Sequence, residues 1–145
     1  MILRNRLKTM RLFVGSICSL SATLLTACGN EKVSAQVLNS SNIRNISASE
    51  ANDIISNDSS VTIIDVRTAQ EFSGGHITNA TNIDFHSPNF LQSISTLPKN
   101  KTYLLYCRSG NRSGQAMRIF KENGFEEVYN VSGGINAWTN QGLHK

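Results

Sequence analysis

One run, Tyr103-Leu104-Leu105-Tyr106-Cys107-Arg108-Ser109-Gly110-Asn111-Arg112-Ser113-Gly114-Gln115-Ala116, constrains the fold more than any other stretch of the chain. Tyr103 to Tyr106 are all apolar or aromatic, which reads as a strand covered on both faces, as in a parallel sheet. A polar loop opened by Cys107 follows. Its arginines, serines and glycines suit a tight curl with the amide hydrogens turned inward. From Gln115 the apolar residues Ala116, Ile119 and Phe120 recur at helical spacing, and Gly124 stands where the helix should stop. A loop between a strand's carboxyl end and a helix's amino end is an anion cradle, because free N–H groups and the helix dipole converge there. A thiol in that position should ionise more readily than a free one, helped by the same dipoles and two guanidinium groups.

Each candidate residue has a plain structural reading beside the functional one. Cys107 could be a core cysteine ending a strand, but its setting favours a nucleophile. Arg108, Ser109, Gly110, Asn111, Arg112 and Ser113 form the candidate substrate-binding loop. Of the two arginines, Arg112 is the stronger candidate for holding an anion. The hydroxyls of Ser109 and Ser113 either point at the ligand or merely suit the turn, and Gly110 serves backbone geometry. Asp65 is read as structural, a carboxylate able to hold loop amides or an arginine. His76, beside two glycines, is read as structural too. No zinc-ligand spacing occurs, and neither a metal nor an organic cofactor is expected.

The rest of the chain places this loop. Ile43 to Ile46 reads as a short strand. Ser47 with Glu50 is a capping box opening a helix that carries Ala51, Ile54 and Ile55. Val61 to Val66 is a β-branched strand. Thr68 with Glu71 is a second capping box, with a short helix through Phe72. Ala80 to Asp84 reads as a short strand, and Ser87-Pro88 as an N-cap with proline at the first helical position. A helix with Phe90, Leu91, Ile94 and Leu97 on one face follows. Glu127 to Val131 is the last strand, and Ile135 to Thr139 a closing helical turn. The class is therefore α/β, a small, largely parallel sheet with helices on both faces. Asp65 and Cys107, at the carboxyl ends of parallel strands, should share one edge of the sheet.

Charge excludes a nucleic-acid surface. The formal charge is +4, but Arg4, Arg6, Lys8 and Arg11 all precede residue 28, with no acid among them. Without those four, ten basic residues face ten acidic ones and no basic patch is left. The four bases precede an apolar run, Leu12 to Leu25, too short and too polar to span a bilayer, which reads as a signal peptide over residues 1–27. Leu25-Thr26-Ala27-Cys28 resembles the bacterial lipobox, which implies lipidation of Cys28 and anchoring to a membrane of the cell envelope. Residues 28–42 read as a flexible tether, and 43–145 as the folded domain. With Cys18 removed and Cys28 capped, Cys107 would be the only free thiol of the mature protein.

Cys-Arg-Ser-Gly-Asn-Arg-Ser resembles the active-site loop of the rhodanese (sulfurtransferase) family. The resemblance continues in Ile64-Asp65-Val66-Arg67, Glu71-Phe72, Gly75-His76-Ile77 and Ala80-Thr81-Asn82-Ile83, and in Val131-Ser132-Gly133-Gly134-Ile135 with Ala137-Trp138. It implies a Cys107 persulfide filled from thiosulfate or a polysulfide and emptied to a thiol or cyanide, with Asp65 and Arg67 supporting the loop. It also implies no metal or cofactor, and a monomer is expected. The Gly133-Gly134 turn and Trp138 read as a turn and a hydrophobic cap, with a turn that rims the pocket as the alternative. Two rivals remain at this stage. One is a non-turnover persulfide carrier or binding module. The other is a cysteine phosphatase, whose Cys-x5-Arg loop is one residue longer than the spacing from Cys107 to Arg112.

Overall fold

The computed structural model describes residues 41–143. The signal peptide, Cys18, the lipobox with Cys28 and nearly all of the expected tether lie outside the described residues. Five strands form one sheet in the order β1-β5-β4-β2-β3. They are β1 (Asn42–Ile46), β2 (Thr62–Asp65), β3 (Thr81–Asn82), β4 (Thr102–Tyr106) and β5 (Glu127–Val131), and every pairing is parallel. The helices between and after them are α1 (Ala48–Asn57), α2 (Ala69–Ser73), α3 (Phe90–Ser95), α4 (Asn111–Glu122) and α5 (Gly134–Asn140). No helix among the described residues is long and apolar enough to cross a membrane.

The apolar run of β4 works as the strand period requires. Leu104 and Tyr106 pack on one face with Ala48 and Ala51 of α1 and Ile135 and Trp138 of α5. Tyr103, Leu105 and Cys107 pack on the other, with Phe90 and Ile94 of α3 and Ala116 and Phe120 of α4. Cys107 thus continues the alternation of β4 by one residue and puts its sulfur on the α4 side. Both faces are covered, which is why the strand carries no polar positions between Tyr103 and Tyr106.

β2 and β4 are neighbours, with Asp65 opposite Tyr106, and Val66 N–H donates to the Tyr106 carbonyl at 2.9 Å. From β2 the chain leaves toward β3, and from β4 it leaves the other way, toward β5. That divergence opens a crevice beyond their carboxyl ends, the place where open α/β sheets put their sites.

Several expected boundaries move. The helix after the cysteine begins at Asn111, not near Gln115, so Arg112 and Ser113 sit in its first turn. The expected cap Ser87 is not one. Its carbonyl accepts Phe90 N–H and its hydroxyl accepts Asn89 N–H, closing a separate turn, and α3 starts after Asn89. The expected strand over 80–84 shortens to Thr81–Asn82, because beyond it Ile83 and Phe85 bond to carbonyls of Asp65 and Val66 as irregular chain. Asn42, expected in the tether, opens β1. Its N–H reaches the Glu126 carbonyl at 2.8 Å and its carboxamide donates to the Tyr129 hydroxyl at 2.6 Å.

Candidate active site

The loop leaving β4 needs only four residues, Cys107 to Gly110, before α4 begins. Gly110 makes this possible with φ of +92°, a conformation that costs other residues strain. It also closes the space. A side chain there would lie 3.1 Å from the Gly133 nitrogen and the Val131 carbonyl oxygen. The result is an amide hydrogen aimed back at the start of the loop: Gly110 N–H donates to Cys107 Sγ at 3.1 Å.

Cys107 is 1% exposed. Burial pushes its thiol up, but the Ser113 hydroxyl and the amides of Ser113, Ser109 and Gly110 outweigh it, and the thiol lies below its ordinary value. Beside the helix dipole and guanidinium groups to which the sequence ascribed a lowering, these directed contacts are a further cause of it. The Ser113 hydroxyl is fully buried and makes no hydrogen bond of good geometry, to the sulfur or to any other group, although its nearness helps to lower the thiol.

Arg112 has a partner that sequence reasoning did not supply. Its Nη1 and Nη2 donate to the two carboxylate oxygens of Glu71, each at 2.7 Å. Glu71 belongs to α2 and also closes the capping box with Thr68. The Arg112 guanidinium holds the Glu71 carboxyl far below the usual range, at about 2. Arg112 is itself raised, first by Glu71 and to a lesser degree by the nearby Cys107 sulfur, so one cation serves both groups. Had Glu71 been considered beyond its cap, the paired runs Thr68-x-x-Glu71 and Cys107-x4-Arg112 at one sheet edge would have signalled the contact. Arg108, in contrast, is an exposed cation at the mouth, and Ser109 is exposed beside it. The Asn111 side chain is turned to Gln115, whose amide donates to its Oδ1 at 2.8 Å.

Asp65 and Arg67 are buried and hold each other. Both Asp65 oxygens accept from the Arg67 guanidinium, the shortest contact being 2.6 Å, and Oδ1 also accepts Arg67 N–H. Arg67 then reaches the Gly75 carbonyl at 2.8 Å. They brace the β2 side of the crevice. His76 stacks on Phe72 at 3.8 Å with Nδ1 against the Phe72 carbonyl, a structural place.

The Gly133-Gly134 turn grips the loop from outside. Ile135 N–H donates to the Cys107 carbonyl at 2.9 Å and Asn136 N–H to the Arg108 carbonyl at 3.2 Å. A side chain on Gly134 would meet the Cys107 carbonyl oxygen at 2.3 Å. Of the two readings of this turn, the packing one holds: it fastens the backbone on which the nucleophile is mounted. No cluster of three or more His, Cys, Asp or Glu side chains able to hold a metal occurs among the described residues.

The arrangement is an ionisable sulfur at a topological switch point, ringed by inward N–H groups. Comparison with known proteins agrees with it. The rhodanese-like domain family matches residues 47–141, and the chain belongs to that family. A protein of Allochromatium vinosum named sulfurtransferase is 37% identical over 83 residues, covering 57% of this chain and 76% of that protein. The uncharacterised protein YqhL of Bacillus subtilis is 40% identical over 76 residues, 52% of this chain, and the match spans only 59% of YqhL. Among solved structures, a rhodanese-like domain protein from Staphylococcus aureus aligns with a TM-score of 0.60 at 30% identity, over 66% of this chain and 90% of that one. A rhodanese-related protein from Thermoplasma volcanium aligns with a TM-score of 0.61 at 31% identity, over 69% and 94%.

Proposed function

We propose that the protein is a sulfurtransferase that works through a Cys107 persulfide. The observation that carries this reading is the sulfur itself, buried at the switch point with Gly110 N–H donating to it from 3.1 Å. The Cys107 thiolate attacks the outer sulfur of thiosulfate or a polysulfide. A new S–S bond forms to Cys107 as the donor's own S–S bond breaks, and sulfite (or the shortened polysulfide) departs with the electron pair. A thiolate or cyanide then attacks the outer sulfur of the persulfide, and the electron pair of that bond returns to Cys107. Sulfane sulfur has moved and no outside oxidant is consumed. The inward amides are placed for the negative charge of the resting thiolate, and exposed Arg108 for the approaching anion.

The sulfurtransferase name of the Allochromatium relative supports the reading. The loop length supports it against the phosphatase rival, since four residues separate Cys107 from Arg112 and Arg112 is occupied by Glu71. Incubation of the purified protein with thiosulfate should add the mass of one sulfur at Cys107, and cyanide should remove it as thiocyanate. Cys107→Ser should lose both without unfolding. Hydrolysis of aryl phosphates faster than thiocyanate formation would overturn the proposal.

We propose in addition that Cys28 carries lipid and anchors the protein to a membrane of the cell envelope, on the strength of the Leu-Thr-Ala-Cys pattern after a basic and apolar leader. Labelling with radioactive fatty acid in the native host should mark the unaltered protein but not Cys28→Ser. Release of unlabelled protein from membranes by salt alone would refute anchoring.

A further inference from the structure

Gly110 does two things for the site: its N–H faces the sulfur, and its carbonyl must be held so that it stays there. One bond to that carbonyl is intrinsic to the helix, from Gly114 N–H at 3.0 Å. The other comes from outside. Asn130, in β5, donates from Nδ2 to the Gly110 carbonyl at 3.2 Å and to Asn45 Oδ1 of β1 at 2.8 Å. The orientation of this carboxamide is determined, because a carbonyl can only accept and the atom facing Gly110 must be the nitrogen.

Three further observations show that the contact is specific. Asn130 is 5% exposed, and its Oδ1 is buried without a partner, a penalty that an apolar residue in a strand would avoid. α4 is cut away to admit it: a side chain on Gly114 would come within 3.2 Å of Asn130 Nδ2, and glycine inside a helix is itself costly. On this flank the loop lacks apolar support, since a cleft of about 540 Å³ passes over Asn45, Asn130, Gly110 and Gly114. Packing does not hold the Gly110 carbonyl on that side; the carboxamide does.

We propose that Asn130 is a positioning residue of the active site, fixing the Gly110 carbonyl from β5 and thereby aiming the Gly110 N–H at the Cys107 sulfur. The inference rests on Cys107 being the nucleophile of the proposed function. Asn130 touches neither substrate nor sulfur, and acts only through Gly110. The other groups facing the sulfur, Ser113 and Arg112 of α4, with Glu71 of α2 behind Arg112, are untouched by changing it.

The test is the ionisation of Cys107, followed in the purified protein by the pH dependence of iodoacetamide alkylation and by thiolate absorbance. Asn130→Leu removes the donor and the orphaned oxygen while keeping the branching and the number of heavy atoms. It should raise the thiol midpoint by about 0.5 to 1 unit, a three- to tenfold loss of thiolate below that midpoint. Sulfur transfer should fall by the same factor at low pH and recover as pH rises, which general loosening of the fold would not produce. Asn130→Ala makes the same prediction should the leucine variant fail to fold. Asn45→Ala, which leaves the Gly110 bond in place, should shift the midpoint less than either. Wild-type midpoints in both Asn130 variants, or an equal shift in Asn45→Ala, would overturn the assignment. A shifted midpoint in a protein that transfers no sulfur would leave the role of Asn130 standing and remove the sulfurtransferase reading instead.

Discussion

Arg112 is where the residue-scale chemistry departs most from what the sequence suggested. As a loop arginine it looked like a hand for an incoming anion. In the structure its charge is shared between Glu71 and Cys107 before any substrate arrives. The two partners should therefore respond in opposite directions. Arg112→Ala removes the cation and leaves the Glu71 carboxylate unpaired near the sulfur, so the Cys107 midpoint should rise by about 1 unit. Glu71→Gln keeps the capping box, which accepts glutamine, and frees the full charge of Arg112. The midpoint should then stay or fall, and thiosulfate should bind more tightly. Alkylation against pH and the KM for thiosulfate check both, and a rise in both variants would contradict the shared-cation picture. The place of Cys107 was legible because an apolar strand runs straight into a glycine-bearing loop at that residue. Glu71 was not, because its local role as a helix cap already accounted for it, and its partner lies 41 residues away.

At the scale of elements, the strand–loop–helix unit was legible but its joint was misplaced by four residues. The helix begins at Asn111 because Gly110 turns the chain at once, whereas the apolar periodicity that announces a helix starts only with Ala116. The Gly133-Gly134 turn was legible as a turn, but its purpose needed the fold, since the carbonyls it binds belong to another element. That purpose predicts a hierarchy among glycines. A side chain on Gly134, at φ of +57°, would meet the Cys107 and Arg108 backbone at 2.3 to 2.8 Å, whereas one on Gly124, at φ of +81°, would meet nothing within 4 Å. Gly124→Ala should cost only the strain of the left-handed backbone, about 1 kcal/mol. Gly134→Ala adds a collision with backbone that cannot swing aside, and should cost about 3 kcal/mol or more. Thermal unfolding should show a drop of roughly 5 °C for the first and well over 10 °C for the second. Gly134→Ala should also raise the Cys107 midpoint, because the displaced carbonyl carries the loop with it. Equal losses in the two variants would refute the clamp.

Across the whole molecule, parallel α/β architecture was legible from alternating strands and helices, but strand order was not. Nothing local in Asn42–Ile46 or Glu127–Val131 says that the first and last strands pair. That choice depends on which apolar faces the helices cover once all are present. The order matters because it makes β2 and β4 neighbours with diverging connections, and an ionic tie crosses the crevice between them, Glu71 of α2 to Arg112 of α4. The tie should register in the stability of the molecule against acid. The Glu71 carboxyl is lowered from 4.5 to about 2, chiefly by its hydrogen bonds from Arg112. A carboxylate depressed in the folded state contributes stability above its unfolded value and loses it as pH falls through the folded one. The contribution should therefore be complete above about pH 4.5 and gone near pH 2. The side chains are 19% and 30% exposed, so solvent screens the pair and about 1 kcal/mol is the expected size. The Glu127 carboxyl is lowered too, mainly by the Tyr129 hydroxyl, so acid denaturation of the unaltered protein alone would not isolate the tie. The difference between unaltered protein and Glu71→Gln does. Urea midpoints measured at pH 6 and stepwise downward should show the variant less stable at pH 6, with the gap narrowing below pH 4.5 and closing toward pH 2. A gap that stays constant across that range would mean that the difference does not come from the Glu71 carboxylate, and would overturn the ion pair as a tie between the two sides of the crevice.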